Sequence, residues 1–197
     1  MENNLWTLRD KHILVAATGS VAAIRCPKVI NLIVEEGAEV WLLTTEHSWH
    51  FLEKEQRLPR NHIRIFTDAD EWRNWNKLGD PVLHIELRKW ADAFLIAPID
   101  ANTLAKAAVG LCDNLVSSVI RAWDSMNKPL LVAPAMNTVM WEQPLTHQQL
   151  SLLESRNVKV IPTVSKQLAC GDIGYGAMAT PETIIGELKQ CLLSQYN

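Results

Sequence analysis

The stretch His12-Ile-Leu-Val-Ala-Ala17, continued by Thr18-Gly19-Ser20 and closing on Glu39-Val-Trp-Leu-Leu-Thr44, decides the fold. Its first part is a short apolar run that stops at a turn, the pattern of a buried strand. Across residues 21–36, Ile24, Val29, Leu32 and Ile33 approximate helical spacing, and Gly37 is placed to end that helix. Residues 39–44 read as a second strand. Strand, helix and strand in succession make a crossover unit, and a crossover of this length implies a parallel sheet.

The alternation continues outward. Ala93-Phe-Leu-Ile-Ala97 precedes a helical stretch at residues 101–109, and Pro129-Leu-Leu-Val-Ala133 precedes Ala135-Met-Asn-Thr138, which reads as the start of another helix. Val158-Lys-Val-Ile161 is the last strand, and residues 181–193 close the chain as a helix with Pro181 in its first turn and Thr180 as candidate cap. Residues 46–81 are least regular; they hold Asp68-Ala-Asp-Glu-Trp72 and Trp75 and read as short helices around one strand, Ile63-Arg-Ile-Phe66. No linker rich in Pro, Gly or Ser interrupts the pattern. The expectation is a single α/β domain over residues 1–197, a doubly wound, Rossmann-like (flavodoxin-like) parallel sheet with helices on both faces.

The 197 residues are 48% apolar, 21% charged and 7% aromatic, which fits a globular chain and excludes a disordered or fibrous one. Lys and Arg number 19 against 22 Asp and Glu, a net charge of −3, and no basic block is long enough to follow a phosphate backbone. Nucleic acid is therefore not expected as a partner. No apolar run reaches the roughly 18 residues that span a bilayer, and the polar start MENNLWTLRDKH lacks the layout of a signal peptide. A cytoplasmic protein without membrane contact is expected. Cys26, Cys112, Cys170 and Cys191 are far apart and show no zinc spacing, so neither a disulfide framework nor a metal is expected. The eight tryptophans, Trp41 and Trp123 among them, read as core and interface packing.

In a doubly wound sheet, ligands sit beyond the carboxyl ends of the strands. Those ends carry Thr18-Gly19-Ser20, Thr44-Thr45-Glu46, Pro98-Ile99-Asp100 and Pro134-Ala135-Met136-Asn137. A single glycine is not the dinucleotide fingerprint, so the first turn is either an ordinary tight turn or a site for one phosphate. Asp100-Ala-Asn102-Thr103 is explained equally by helix capping, with Asn102 or Thr103 as cap. Pro134-Ala-Met-Asn-Thr-Val-Met-Trp141 places an amide, two thioethers and an indole in a connection and reads as a pocket wall. Cys170-Gly-Asp-Ile-Gly-Tyr-Gly176 reads as a mobile flap carrying a thiol, or as a flexible loop with an inert one. His84 follows Asp80-Pro81 beside a helical stretch at residues 85–90 and reads as a cap, a packed polar residue or a base.

Taken in order, TGSVAA, DADEW, DPVLHIELRKWAD, APIDANTLAK, GLCDNL, PAMNTVMW and LACGD resemble phosphopantothenoylcysteine decarboxylases, of the homo-oligomeric flavin-containing Cys decarboxylase family, from Lys11 to Ala179. The resemblance implies bound flavin mononucleotide (FMN), trimers or multiples of trimers with sites between subunits, and 4′-phosphopantothenoylcysteine as small-molecule substrate. It implies cofactor contacts from Gly19, Ser20, Val21, Thr44, Thr45, Glu46, Asp100, Ala101, Asn102, Thr103 and Ala135. His84 matches the family's active-site base and Cys170 its proton donor. Asn137 and Met140 match the substrate-facing pair, and Gln167, Leu168, Ala169 and Gly174 belong to the substrate flap. Two departures are Asp100, where many relatives carry Ser, and Lys89, where an arginine is common; lysine keeps the charge but loses the bidentate fork.

The implied substrate holds its cysteine nitrogen in an amide, so it cannot form an imine as electron sink. Oxidation of the CH₂–SH carbon to a thioaldehyde supplies another: the C=S group accepts the electrons released as CO₂ leaves, giving an enethiol that is then reduced and protonated. In this scheme His84 assists thiol deprotonation, Asn137 orients the carboxylate and Cys170 donates a proton. Alternatives stay open on sequence alone: a peptidyl-cysteine decarboxylase of the same fold, and a non-catalytic regulatory subunit binding a protein phosphatase.

Overall fold

A computed structural model of the chain describes residues 8–53, 55, 57–73, 75–167 and 173–194, with the backbone alone at Lys166, Gln167 and Ile173. Six parallel strands form the central sheet: β1 (His12–Ala17), β2 (Glu39–Thr44), β3 (Arg64–Phe66), β4 (Ala93–Ile99), β5 (Leu130–Pro134) and β6 (Val158–Val160). Their order is β3-β2-β1-β4-β5-β6, the order of a Rossmann-like sheet, and it reverses direction between β1 and β4. Both faces are buried, so the central strands read as continuous apolar runs rather than alternating ones. The alternation is still present in which face each residue serves. Ile13, Val15, Val40, Leu42, Leu95 and Leu131 enter one core, and Leu14, Leu43, Phe94, Ile96 and Val132 the other.

The first face is covered by α1 (Cys26–Glu35) and α9 (Pro181–Ser194), which contact each other, and Leu52 of α2 (Glu46–Leu52) joins their core. The second is covered by α4 (Leu83–Trp90), α5 (Ala101–Val109), α6 (Leu115–Ala122) and α8 (Pro144–Glu154). Two short helices, α3 (Asp68–Arg73) and α7 (Thr138–Glu142), sit in connections. The expected helix at residues 21–36 is divided. Pro27 has no N–H to give the carbonyl four residues back, so residues Val21–Arg25 wind as a tighter 3₁₀ turn and α1 restarts with the proline in its first turn. The helix expected from Ala135 begins at Thr138 instead, and α6 and α8 had no counterpart in the sequence reading.

Of the glycine-rich stretch at residues 170–176, the part from Ile173 onward is a strand. β7 (Val164–Gln167) and β8 (Ile173–Ala177) pair antiparallel, and Met136 N donates to Gly176 O at 2.9 Å, fastening the hairpin to the connection after β5. Gly176 has φ +109°, and a Cβ there would lie 2.5 Å from Met136 O, so glycine is required. Among the tryptophans, Trp123 is buried and Trp41 stacks on Trp90 at 3.8 Å, whereas Trp72 and Trp75 lie open to solvent on the connection before α4.

Candidate functional site

The polar turns expected to form a site meet where the strand order reverses. Thr18, fully buried, links the two diverging halves: its hydroxyl donates to Pro98 O at 3.0 Å and accepts from Asp100 N at 2.8 Å, while its own N donates to Pro98 O. The ends of β1 and β4 are thereby held at one level. Thr45 N donates to Ala17 O and Ala135 N to Ile99 O, which brings the turns after β2 and β5 into the same row.

Gly19 lies at the crossing. A Cβ placed on it would come within 3.0 Å of His47 Cβ and 3.1 Å of Asp100 Oδ2, so segments after three strands converge on one hydrogen atom. Only glycine leaves the backbone open to a ligand at such a crossing. Ser20 caps the 3₁₀ turn by accepting from Ala22 N, and Val21 and Ile24 beside it are exposed. Thr44 is buried at the end of β2, Thr45 caps α2 through Ser48 N, and Glu46 opens that helix exposed to solvent.

The α5 cap is Asp100, not Asn102 or Thr103: Asp100 Oδ1 accepts from Thr103 N at 2.9 Å. β4 runs on to Ile99, which makes Asp100 the junction residue and leaves Ala101, Asn102 and Thr103 in the first turn. Asn102 is exposed there and Thr103 buried. The turn thus offers a residue without a side chain at Gly19, a hydroxyl at Ser20 and exposed apolar side chains at Val21 and Ile24, groups whose chemistry suits a single phosphate and an apolar ring. His47 belongs to this cradle and was missed; its place one residue after Thr45-Glu46 was the available signal.

A second group surrounds α7. Asn137 caps it, its Oδ1 accepting from Val139 N at 2.8 Å, which fixes the plane of the amide. Met140 lies exposed on that helix, and Ala135 is buried at its approach. Thr138 Oγ1 donates to Tyr175 O at 3.0 Å, which ties β8 to the segment that carries Asn137. Gly174 is pressed on Thr138, where a Cβ would meet Oγ1 at 2.6 Å; it serves close packing. Gln167 ends β7, paired with Ile173, and Leu168, Ala169 and Cys170 lie outside the described residues.

His84 occupies the first turn of α4, whose N-terminus lies towards the carboxyl edge of the sheet because the helix runs back to the start of β4. Its Nδ1 is 2.5 Å from Glu71 Oε1, and its backbone N donates to Glu71 Oε2 at 3.2 Å. Side-chain exposures of 26% and 10% place this pair half inside the protein. Glu71 lies within the DADEW motif but carried no role in the sequence reading. Lys89, one of the two departures, pairs with Glu86 at 2.9 Å on the exposed side of the helix.

The chain matches the family described as Flavoprotein over residues 2–193. It is 52% identical to the phosphopantothenoylcysteine decarboxylase of Mus musculus over 189 residues, which covers 95% of this chain and 90% of that one. Among solved structures, a cysteine-to-serine mutant of PPC decarboxylase complexed with pantothenoylaminoethenethiol superposes with a TM-score of 0.88 at 50% identity, covering 92% of this chain and 98% of that one. The FMN binding protein AtHal3 superposes with a TM-score of 0.86 at 51% identity, covering 94% and 98%.

Proposed function

Since the chain belongs to the phosphopantothenoylcysteine decarboxylases of the flavoprotein family, we propose that it binds FMN in the cradle around Gly19 and converts 4′-phosphopantothenoylcysteine to 4′-phosphopantetheine and CO₂, a step of coenzyme A biosynthesis. The observation that carries this is the half-identical match over nearly the whole chain to a protein of that name, with His84, Asn137 and Cys170 all present. The relative's ligand supports the route, since an aminoethenethiol amide is the cysteine skeleton after loss of CO₂ and two hydrogens.

Bound flavin would supply reversible two-electron oxidation at the thiol-bearing carbon, so the overall reaction consumes one proton and no external oxidant. The residues do the rest. The backbone at Gly19 and the Ser20 hydroxyl would hold the cofactor phosphate, beside Asp100, whose carboxylate is fixed by its cap to Thr103. His84 accepts the thiol proton. Asn137, its amide plane set by Val139 N, hydrogen-bonds the substrate carboxylate until it leaves as CO₂. Cys170, whose place in the sequence falls between the β7 and β8 segments, returns a proton to carbon. Exposed Trp72, Trp75, Leu78 and Val82 beside His84 favour burial against another copy, in a homotrimer.

The test is the Cys170→Ser variant. A hydroxyl is a far weaker acid than a thiol, so CO₂ release should persist while an enethiol about two mass units lighter than the normal product accumulates. Saturated product at the wild-type rate would remove Cys170 from the scheme, and no CO₂ from either protein would overturn the function.

A further inference from the structure

The base assigned to His84 has two ring nitrogens, and the neutral ring carries a proton on one of them only. Which one it is decides whether the ring can take a proton from a substrate, and the protein settles the matter through Glu71. A carboxylate only accepts hydrogen bonds, so the 2.5 Å contact of Glu71 Oε1 with His84 Nδ1 requires that Nδ1 carry the proton. The lone pair is then on Nε2, across the ring from Glu71. The second carboxylate oxygen takes the backbone N–H of the same residue at 3.2 Å. Val82, the N-cap of α4, provides no side-chain cap, so Glu71 caps this helix from outside it and holds ring and backbone together.

Glu71 is itself held firmly. Before it along α3, Asp70 Oδ2 accepts from both Thr67 N and Thr67 Oγ1 at 2.8 Å, and Asp68 Oδ1 accepts from Leu115 N at the start of α6. The segment DADEW thus joins α6 to α4 through two carboxylates, Asp68 and Glu71, while Asp70 fixes the start of α3 itself. A structural ion pair would be satisfied by one contact on an exposed side chain. Two contacts to one residue from a side chain only 10% exposed instead fix an orientation.

We propose that Glu71 is a positioning residue that locks His84 as the Nδ1–H tautomer, so that Nε2 is the proton acceptor of the decarboxylation. The inference rests on His84 being the base. As the ring takes up the substrate proton it becomes an imidazolium, and the carboxylate beside it stabilises that charge without accepting the proton.

The experiment compares wild type, Glu71→Gln and the double variant with His84→Asn, all flavin-loaded, using ¹⁵N-histidine NMR and CO₂ release. In the wild type the His84 signals should show Nδ1–H. Glutamine can still cap His84 N with its oxygen, but its NH₂ then donates to Nδ1 and forces the proton to Nε2. The inverted tautomer should lower kcat by about 10²- to 10⁴-fold, the range for a base held in the wrong tautomer, with flavin content, melting temperature and KM near wild type. In the His84→Asn background the same substitution should cost no further rate. A wild-type Nε2–H tautomer, CO₂ release by Glu71→Gln within about threefold of wild type, or additive losses in the double variant would each overturn the proposal. Wild type inactive on phosphopantothenoylcysteine would instead sink the decarboxylase reading, and the tautomer measurement would still decide how Glu71 sets the ring.

Discussion

Replacing Thr18 with valine removes one hydroxyl at nearly constant volume, and the hydrogen bonds around it say what that costs. Pro98 O keeps a donor, because Thr18 N also reaches it, at 3.2 Å. Asp100 N does not, since its bond to the Thr18 hydroxyl at 2.8 Å is the one that disappears. One orphaned donor in a partly buried position costs about 2 kcal/mol, within the usual ~1–3 kcal/mol for an unsatisfied group. At about 2–4 °C per kcal/mol for a chain of this size, the melting temperature should fall by roughly 4–8 °C. The loss is not only one of stability. The same bond holds Asp100 against Gly19, so Thr18→Val should also lose FMN, whereas Thr18→Ser should retain it. Circular-dichroism melting with and without added FMN, together with the flavin-to-protein ratio after gel filtration, measures both effects. Melting within about 1 °C of wild type with full flavin content would refute the claim that Thr18 ties the two sides of the crevice together.

Three further outcomes follow from the geometry. Gly19→Ala puts a methyl group within 3.0 Å of His47 Cβ and 3.1 Å of Asp100 Oδ2, so flavin content should drop well below that of wild type while the chain stays folded; unchanged flavin absorbance would contradict the cradle. His84→Asn should keep its flavin and lose CO₂ release by about 10²-fold or more, and near-normal turnover would return the histidine to helix packing. Burial pushes the Cys26 thiol up to about 12, so the folded chain holds a proton that the unfolded chain gives up near its ordinary value. That contribution to stability is complete below about pH 8.5 and is lost as pH rises towards 12. Denaturant unfolding of wild type and Cys26→Ala over this range should show a shallower decline in the variant, and equal slopes would remove the effect.

The parallel sheet was legible because its strands are buried on both faces, which leaves compact apolar runs ending in Thr, Asp or Pro at the carboxyl edge. The helices α6 and α8 were not. The first starts from an Asn114 cap answered by Ser117 rather than by Glu or Gln, and the second buries only Thr146, Leu150 and Leu153 along a polar stretch. At Asp100, three cap-forming residues within four positions left the choice open, and the true length of β4 resolved it. The glycine count near Cys170 carried no sign of close packing, and at Gly174 and Gly176 it is Thr138 and Met136 O that leave no room for a side chain. The pairing of Glu71 with His84 had no sequence signal: it depends on how two short helices in the least regular part of the chain pack, and neither periodicity nor spacing records that.

The central claim is a decarboxylation in which the electrons taken from the substrate return to it. Incubation of the flavin-loaded wild-type protein with 4′-phosphopantothenoylcysteine under anaerobic conditions, with no added oxidant or reductant, tests it directly. The account predicts many turnovers, with one CO₂ and one saturated phosphopantetheine thiol formed per substrate consumed and the flavin still oxidised at the end. Absence of CO₂, or a single turnover that stops with reduced flavin and free enethiol, would contradict it.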